Sequence, residues 1–340
     1  MQQVVVERFG GVEELQLREV PTPTPGAGQV LVKLTSIGMN HADLMGRRGE
    51  YKLSTGDPPY TPGLEGGGVI EAVGEGVDAS RIGQRVCLAP DAARLSKGRP
   101  GTYSSHYVCD DVEALLAPDE LPDDQLGAVW LPYLTAWGAL VWKAKVAPGQ
   151  IVACPAASSS TALAAAQIAK HHGCTTIGLT TSPDKVDSLE SAYDHVVVTH
   201  ESNDDQHVMR PWHRDMKQHT GGKGVDVFFD PVAAGAYLNT EIRCLTQHGC
   251  LIVYGLLGVP GTVDVTPLIR KHASIVGYVN DEVFKAGRDE VMRGVEHLFE
   301  GFASGVYRQT LAASFALTEV REAHEAMQRG AHVGKMVLVP

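Results

Sequence analysis

Residues able to hold a phosphate crowd into one stretch of the chain. Ser158, Ser159, Ser160 and Thr161 place four consecutive hydroxyls just ahead of a smooth helical run, Leu163–His172. An apolar, strand-like run, Ile151–Cys154, precedes them, and small residues fill the join from Pro155 to Ala162. Gly173 stops the helix, and a second strand, Thr175–Leu179, leads into the polar turn Thr180–Lys185. The whole is a β–turn–α–β unit of about 30 residues, the length a parallel crossover needs. Unpaired N–H groups and a partial positive charge at the helix start suit an anion. A G-x-x-G-x-x-G pattern laid on the loop puts its glycine positions at Ala156, Ser159 and Ala162, so no glycine is left. Two readings stay open: a dinucleotide cradle rebuilt from serines, or an ordinary strand-to-helix turn in an α/β domain.

The far end of the unit bears on which dinucleotide would bind. NAD-preferring domains carry Asp or Glu at the end of the second strand, for the ribose 2′-OH. Thr180, Thr181, Ser182 and Lys185 stand there instead. Hydroxyls plus a cation suit a 2′-phosphate, so NADPH is expected in preference to NADH. Asp184 is either that acidic residue displaced or, standing beside Pro183 at a helix start, a cap for the following helix, and the cap is the expected role. Tyr254-Gly255 closes a later parallel strand, where open sheets place their ligands.

These residues need a frame. Up to about residue 120 the chain reads as short strands: Gln3–Val6, Leu15–Glu19, Gln29–Thr35, a Gly-rich run Pro62–Gly74, Ile82–Ala89 and Gly101–Val108. Glycines inside a strand pattern imply bulges and a curved sheet. Asp119–Asp124 is an acidic, Pro-containing boundary. Beyond it, Leu126–Val141 is apolar and helical, and β and α then alternate: His195–Val198, Val225–Phe229, a helix to about Leu245, Cys250–Tyr254 and Ser274–Val279. Helices over Asp289–Ser304 and Thr318–Arg329 and a strand Lys335–Val339 finish the chain. The expected class is α/β, with a Rossmann-type doubly wound parallel sheet beside a mainly β domain.

Composition narrows the partners. The 340 residues are 44% hydrophobic and 20% charged, with a net charge of −11 and no Lys/Arg run. Nucleic acid and an anionic membrane are therefore not expected. No apolar run reaches the ~18 residues of a membrane helix, and Met1–Gly11 lacks the pattern of a signal peptide. The expected location is the cytoplasm. Cys87, Cys109, Cys154, Cys174, Cys244 and Cys250 form no C-x-x-C and read as free core thiols.

Seven stretches taken together resemble the medium-chain dehydrogenase/reductase superfamily, in its zinc-independent quinone oxidoreductase and enoyl reductase branch. They are Gly38-Met-Asn-His-Ala-Asp43, Pro62-Gly-Leu-Glu-Gly66, Ile82-Gly-Gln-Arg-Val86, Gly101-Thr-Tyr103, Leu134-Thr-Ala-Trp-Gly138, Asp230-Pro-Val232 and Val333-Gly-Lys-Met-Val337. They run through nearly the whole chain in the family's order. The resemblance implies a GroES-like catalytic domain from residues 1–123 and 281–340, around a Rossmann domain at 124–280. It implies that Asn40 and Thr135 face the nicotinamide, that Tyr193 lies near the adenosine end and that Lys335 reaches the cofactor. It also implies a homodimer paired through the edge strand Ser274–Val279.

Zinc-dependent members take ligands from a Cys in the first catalytic loop and from Gly-His-Glu. Here those positions read Met39-Asn40 and Gly63-Leu64-Glu65, and the structural-zinc region 91–98 has no Cys. Three or four N/S ligands cannot be assembled, His41 and His106 included, so no metal is expected. Nor is there a Tyr-x-x-x-Lys pattern. Reduction of a quinone or an electron-poor C=C needs less help: one or two donors must stabilise charge on a carbonyl oxygen. By resemblance Tyr51 is a pocket tyrosine that could donate or deliver a proton, Asn40 positions, and Met45 replaces a second pocket tyrosine. His41 is a further possible donor. The expected activity is NADPH-dependent reduction of a small quinone or α,β-unsaturated carbonyl. Two alternatives remain: a trans-acting enoyl reductase of a polyketide or fatty-acyl pathway, and a catalytically silent NADP(H)-binding regulatory protein.

Overall fold

Among the described residues, short β-branched runs separated by Gly and Pro fold into three sheets, distributed over two compact units. One unit comprises residues 1–131 and 295–340, the other 132–294. The computed structural model describes residues 1–51, 57–89, 99–201 and 208–340. The region 91–98 and part of the loop following Tyr51 thus lie outside the described residues. The units divide inside two helices, Trp130–Trp137 and Arg288–Ala303.

In the first unit β1 (Gln2–Val6) and β2 (Leu15–Glu19) form an antiparallel pair. β3 (Gln29–Gly38) leads into α1 (His41–Arg47), so the strand runs past Thr35, the end expected from the sequence. β4 (Glu65–Val73), β5 (Arg85–Leu88), β6 (His106–Asp110) and β7 (Ala114–Leu116) follow. The Gly-rich run at the start of β4 is explained by its neighbour: a Cβ on Gly68 would stand 2.0 Å from the Lys33 carbonyl oxygen. Register shifts between Leu31 and Val32 and between Leu34 and Ser36 mark the expected bulges.

In the second unit α2 (Trp130–Trp137) gives way to π-helical turns over Gly138–Lys143, where a regular helix was expected. The widening coincides with Tyr278, whose hydroxyl lies 1.7 Å from where a Cβ of Gly138 would be. Then come β8 (Ile151–Pro155), α3 (Ser160–His171), β9 (Thr175–Thr180), α4 (Val186–Leu189), β10 (His195–Val198), α5 (His213–His219), β11 (Val225–Asp230), α6 (Gly235–Cys244), β12 (Leu245–Val253), α7 (Thr266–Lys271), β13 (Ser274–Gly277), α8 (Asp281–Ala286) and α9 (Arg288–Ala303). The six strands are all parallel, in the order β10-β9-β8-β11-β12-β13. The order reverses between β8 and β11, the switch point where such sheets open a crevice. Trp212, Phe228, Ile177 and Leu251 are among its buried core.

β14 (Leu311–Ala316), α10 (Val320–Arg329) and β15 (Lys335–Val339) return to the first unit, giving the sheet order β14-β15-β3-β4-β5-β7 with β6 also on β3. Leu317, Val320, Met336 and Leu338 join Val30, Ile37 and Leu44 in one core. The C-terminal segment therefore completes the N-terminal unit.

Candidate active site

Two polar clusters stand out among the described residues, one in each unit. In the second unit it is the join of β8 to α3. Ala156 takes φ 50°, the left-handed conformation that a glycine at this position would adopt at no cost. The loop is pinned to the strand end by Ala157 N–H on the Leu179 carbonyl, 3.0 Å. Ser159 caps α3, its Oγ accepting from Ala162 N at 3.2 Å. Ala162 is fully buried, so the one extra methyl is accommodated.

Lys185 bends back to this loop. Its Nζ donates to Ser158 Oγ at 3.1 Å, and burial pulls its pKa down. Ser158, Ser159, Ser160, Thr161 and Lys185 are thus gathered at one helix start; Thr181 is exposed and Ser182 half-buried in the turn before Lys185. Thr180 is turned inward: its Oγ1 donates to the Ser182 carbonyl and accepts from Ser182 N. Asp184 sits inside the turn Pro183–Lys185, where Ser182 holds the cap position expected of Asp184.

Tyr193 needs correcting. It is 2% exposed, and its hydroxyl donates to the Ala157 carbonyl at 2.9 Å. Its ring fills the space left by Gly178, whose Cβ would come within 2.7 Å of it. Tyr193 props the loop from within and does not present its ring to a ligand. Tyr254 stacks on Phe229 at 3.8 Å, and its hydroxyl, pushed well up by burial, bonds to Ser159. Gly255 packs on Pro231, which a Cβ would meet at 3.0 Å. Asp230 ends β11 with a buried carboxyl that accepts from Val232 and Ala233 N–H at 2.7 and 2.8 Å. Burial raises its pKa to about 6. The turns after β8, β11 and β12 so meet at the carboxyl ends of the strands. Thr135 accepts from Asn280 Nδ2 at 3.1 Å.

In the first unit, strand register makes the cluster. Gly38 on β3 faces Glu65 on β4 and Val337 on β15. Asn40, just past β3, and Lys335, at the start of β15, are thereby brought beside the Glu65 carboxylate. Lys335 Nζ donates to Glu65 Oε1 at 2.5 Å and to Asn40 Oδ1 at 2.6 Å. Asn40 Nδ2 donates to Glu65 Oε1 at 3.1 Å and to the Gly38 carbonyl at 3.2 Å. Glu65 Oε2 accepts from Leu131 N at 2.9 Å. Gly38 must lack a side chain here, since a Cβ would fall 2.6 Å from Glu65 Oε1.

Asn40 is also the residue before α1, yet its side chain does not cap it; Asp43 Oδ2 reaches back to Asn40 N at 2.8 Å. Tyr103 Oη donates to Asp43 at 3.4 Å, and burial beside that carboxylate holds the phenol well above its ordinary pKa. Arg47, at the other end of α1, is buried and donates to the Gly10 carbonyl and to Gln328 Oε1. Tyr51 follows, half-buried.

Lys335 is a second correction. At 1% exposure its ammonium is turned into the unit, onto Glu65 and Asn40, and not toward a ligand. Glu65, Asp43 and Tyr103 were not foreseen as site groups. The available signal was a Lys and a Glu inside apolar strands, since such charges stay buried only in pairs. Among the described residues no three His, Cys, Asp or Glu stand close enough to hold a metal. His106 instead meets Glu71 at 3.2 Å.

Known proteins share this design. Residues 26–119 match the alcohol dehydrogenase GroES-like domain model and residues 161–293 the zinc-binding dehydrogenase model. The chain is 30% identical to a human quinone oxidoreductase over 345 residues, 100% of this chain and 98% of the other. It is 29% identical to a 2-haloacrylate reductase of Burkholderia over 352 residues, with 99% and 98% covered. The crystal structure of Escherichia coli quinone oxidoreductase complexed with NADPH superposes with a TM-score of 0.84 at 26% identity, covering 100% of both chains.

Proposed function

Because the chain belongs to the quinone oxidoreductase branch of the medium-chain dehydrogenase/reductase superfamily, and is an oxidoreductase, we propose that it reduces quinones or α,β-unsaturated carbonyls with NADPH and without zinc. The observation that carries this reading is the Lys185–Ser158 contact. It sets an ammonium and a hydroxyl at the start of a 12-residue helix, a donor set that fits a 2′-phosphate. Ser158–Thr161, Thr181 and Ser182 would hold the phosphates, with Tyr254 and Gly255 at the neighbouring strand end and Thr135 and Asn40 near the nicotinamide.

The first unit's donors do not fit zinc. Asn40 Oδ1 and Glu65 Oε1, at the sequence positions that align with the zinc-dependent members' Cys loop and Gly-His-Glu motif, already bind an ammonium. A dication would have to displace Lys335 or stand against it. Bound NADPH would supply the hydride that reduces the electrophilic carbon. The chain itself must orient the reactants, exclude water and stabilise negative charge on the carbonyl oxygen. Tyr51 is the group we assign to hydrogen-bond that oxygen.

Fluorescence titration with NADPH should show saturable binding, tighter than for NADH. Oxidation of NADPH with a naphthoquinone and with an enone then separates the two substrate classes. Absence of binding at millimolar cofactor would sink the proposal, while binding without turnover would favour the silent regulatory alternative. The similarity to a 2-haloacrylate reductase favours an activated C=C among the substrates. A trans-acting enoyl reductase has the same chemistry and would show it on carrier-bound substrates only.

Self-association belongs to the same proposal. β13 is an edge strand of the parallel sheet, and the segment around it exposes Leu256, Val259, Val265 and Ile269. A second copy pairing along β13 would cover them. Light scattering should give a dimer mass; a monomer would rule this out. Among the described residues no helix is long and apolar enough to cross a membrane.

A further inference from the structure

The Glu65–Lys335 pair determines what Asn40 can do. A carboxamide has two N–H donors and an oxygen with two lone pairs. In Asn40 both donors are engaged, one on the Gly38 carbonyl and one on Glu65 Oε1. One lone pair is engaged by Lys335 Nζ. Turning the amide over would set its NH2 against the ammonium and its oxygen against a carbonyl and a carboxylate. All three contacts would become repulsive, so the orientation is fixed by the surrounding charges. What Asn40 has left is a single acceptor site on Oδ1.

We propose that Glu65 and Lys335 are positioning residues that lock Asn40 as a hydrogen-bond acceptor, so that it recognises an N–H or O–H donor of the bound nicotinamide cofactor and not the substrate's carbonyl oxygen. Two cofactor groups have that chemistry: the carboxamide N–H and a hydroxyl of the adjacent ribose. This inference rests on the proposed NADPH-dependent function. It deepens that function by separating the roles of two candidate residues: Tyr51 can serve a developing oxyanion, and the Asn40 amide cannot.

The test is a binding cycle on the full-length protein, with NADPH titrated by fluorescence and folding followed by thermal unfolding. E65L/K335M removes both charges together and leaves Asn40 free to turn. It should weaken NADPH about tenfold, the loss of one hydrogen bond. N40A should weaken it by a similar factor, and adding E65L/K335M to N40A should cost nothing more. K335R keeps the charge and should stay within about threefold of wild type. A merely structural role predicts additive losses in the cycle, and additivity overturns the inference, as does undiminished binding by E65L/K335M. If E65L/K335M does not fold, the neutral pair E65Q/K335Q takes its place with the same criteria.

An NADP analogue with acetyl in place of the carboxamide distinguishes the two sources. If the N40A loss disappears with this analogue, the carboxamide is the donor; if it persists, the ribose hydroxyl is. No loss in N40A with either cofactor overturns the inference. Failure of wild type to bind NADPH would instead overturn the proposed function and this inference with it.

Discussion

The two polar clusters are built on opposite principles. The β8–α3 loop gathers half-buried, uncharged hydroxyls and one half-buried cation, Lys185, which donates to Ser158. The Glu65–Lys335–Asn40 cluster is nearly saturated: an ammonium, a carboxylate and an amide satisfy each other with almost no exposure. For the phosphate-holding role proposed for the loop, soft, replaceable contacts suffice. A site that must hold one amide in one orientation uses charge, because buried charge penalises every other arrangement. The loop should therefore tolerate substitution and lose affinity, whereas the cluster should resist single changes and lose stability.

The largest expected effect breaks the cluster on one side only. K335M leaves the Glu65 carboxylate buried beside Asn40 without its counter-charge, which should cost about 3–5 kcal/mol of stability. E65L/K335M removes both charges and should return to within about 1 kcal/mol of wild type. Chemical unfolding of the two variants checks this. Equal destabilisation would show that the pair holds the fold together by its attraction and not by penalising other arrangements.

At the loop the corresponding change should spare stability. K185A removes an ammonium from Ser158 and should weaken NADPH about tenfold or more, the worth of a hydrogen bond to a charged group. NADH binding should change less than twofold. Parallel titrations decide it, and an equal loss for both cofactors would refute the 2′-phosphate assignment.

This contrast also explains how much could be read from the sequence. The loop residues are contiguous or one crossover apart, so Ser158–Thr161 and Thr180–Lys185 were visible as a unit, and the parallel sheet followed from apolar periodicity. Glu65 and Lys335 lie on two separate strands and Asn40 just past the end of a third, and only register brings them together. Family resemblance marked Asn40 and Lys335 singly but gave Lys335 the wrong direction, since position along a strand does not say which partner a side chain finds. Tyr193 failed similarly: Gly178 made room for its ring inside the fold, a complementarity that no local pattern records.

A third polar group lies between the two extremes. Glu241 on α6 is fully buried, and neither of its oxygens has a hydrogen-bond partner among the described residues. Burial, then the nearby Asp230, pushes its pKa well up. Asp230 is itself raised to about 6 by burial. Both groups hold protons in the folded state that the unfolded chain has released. Their contribution is fully present below the unfolded carboxyl values, near pH 4. It is lost as pH rises through the folded values, which for Asp230 means by about pH 6. E241Q removes one such group, so it should be more stable than wild type by ~1–3 kcal/mol at pH 8, with the gap closing toward pH 4. Unfolding curves across that range test it; a constant gap would mean that Glu241 does not titrate on folding.

The smallest effect sharpens what the loop gave up when it lost its glycines. Ala156 stands at the first glycine position of the dinucleotide pattern and keeps the left-handed backbone, φ 50°, that the position demands. An alanine there is strained by about 1–2 kcal/mol, while a glycine adds entropy to the unfolded chain worth roughly 0.5–1 kcal/mol. A156G should therefore stabilise the protein by only ~0.5–1 kcal/mol, a shift of a few degrees at most in thermal unfolding. Because the backbone is already in place, NADPH affinity should move by less than about twofold, the equivalent of a few tenths of a kcal/mol. A large gain in affinity would mean that the Ala156 methyl itself obstructs the approach of a phosphate. The serines would then be a compromise in the cradle and not a replacement for its glycines.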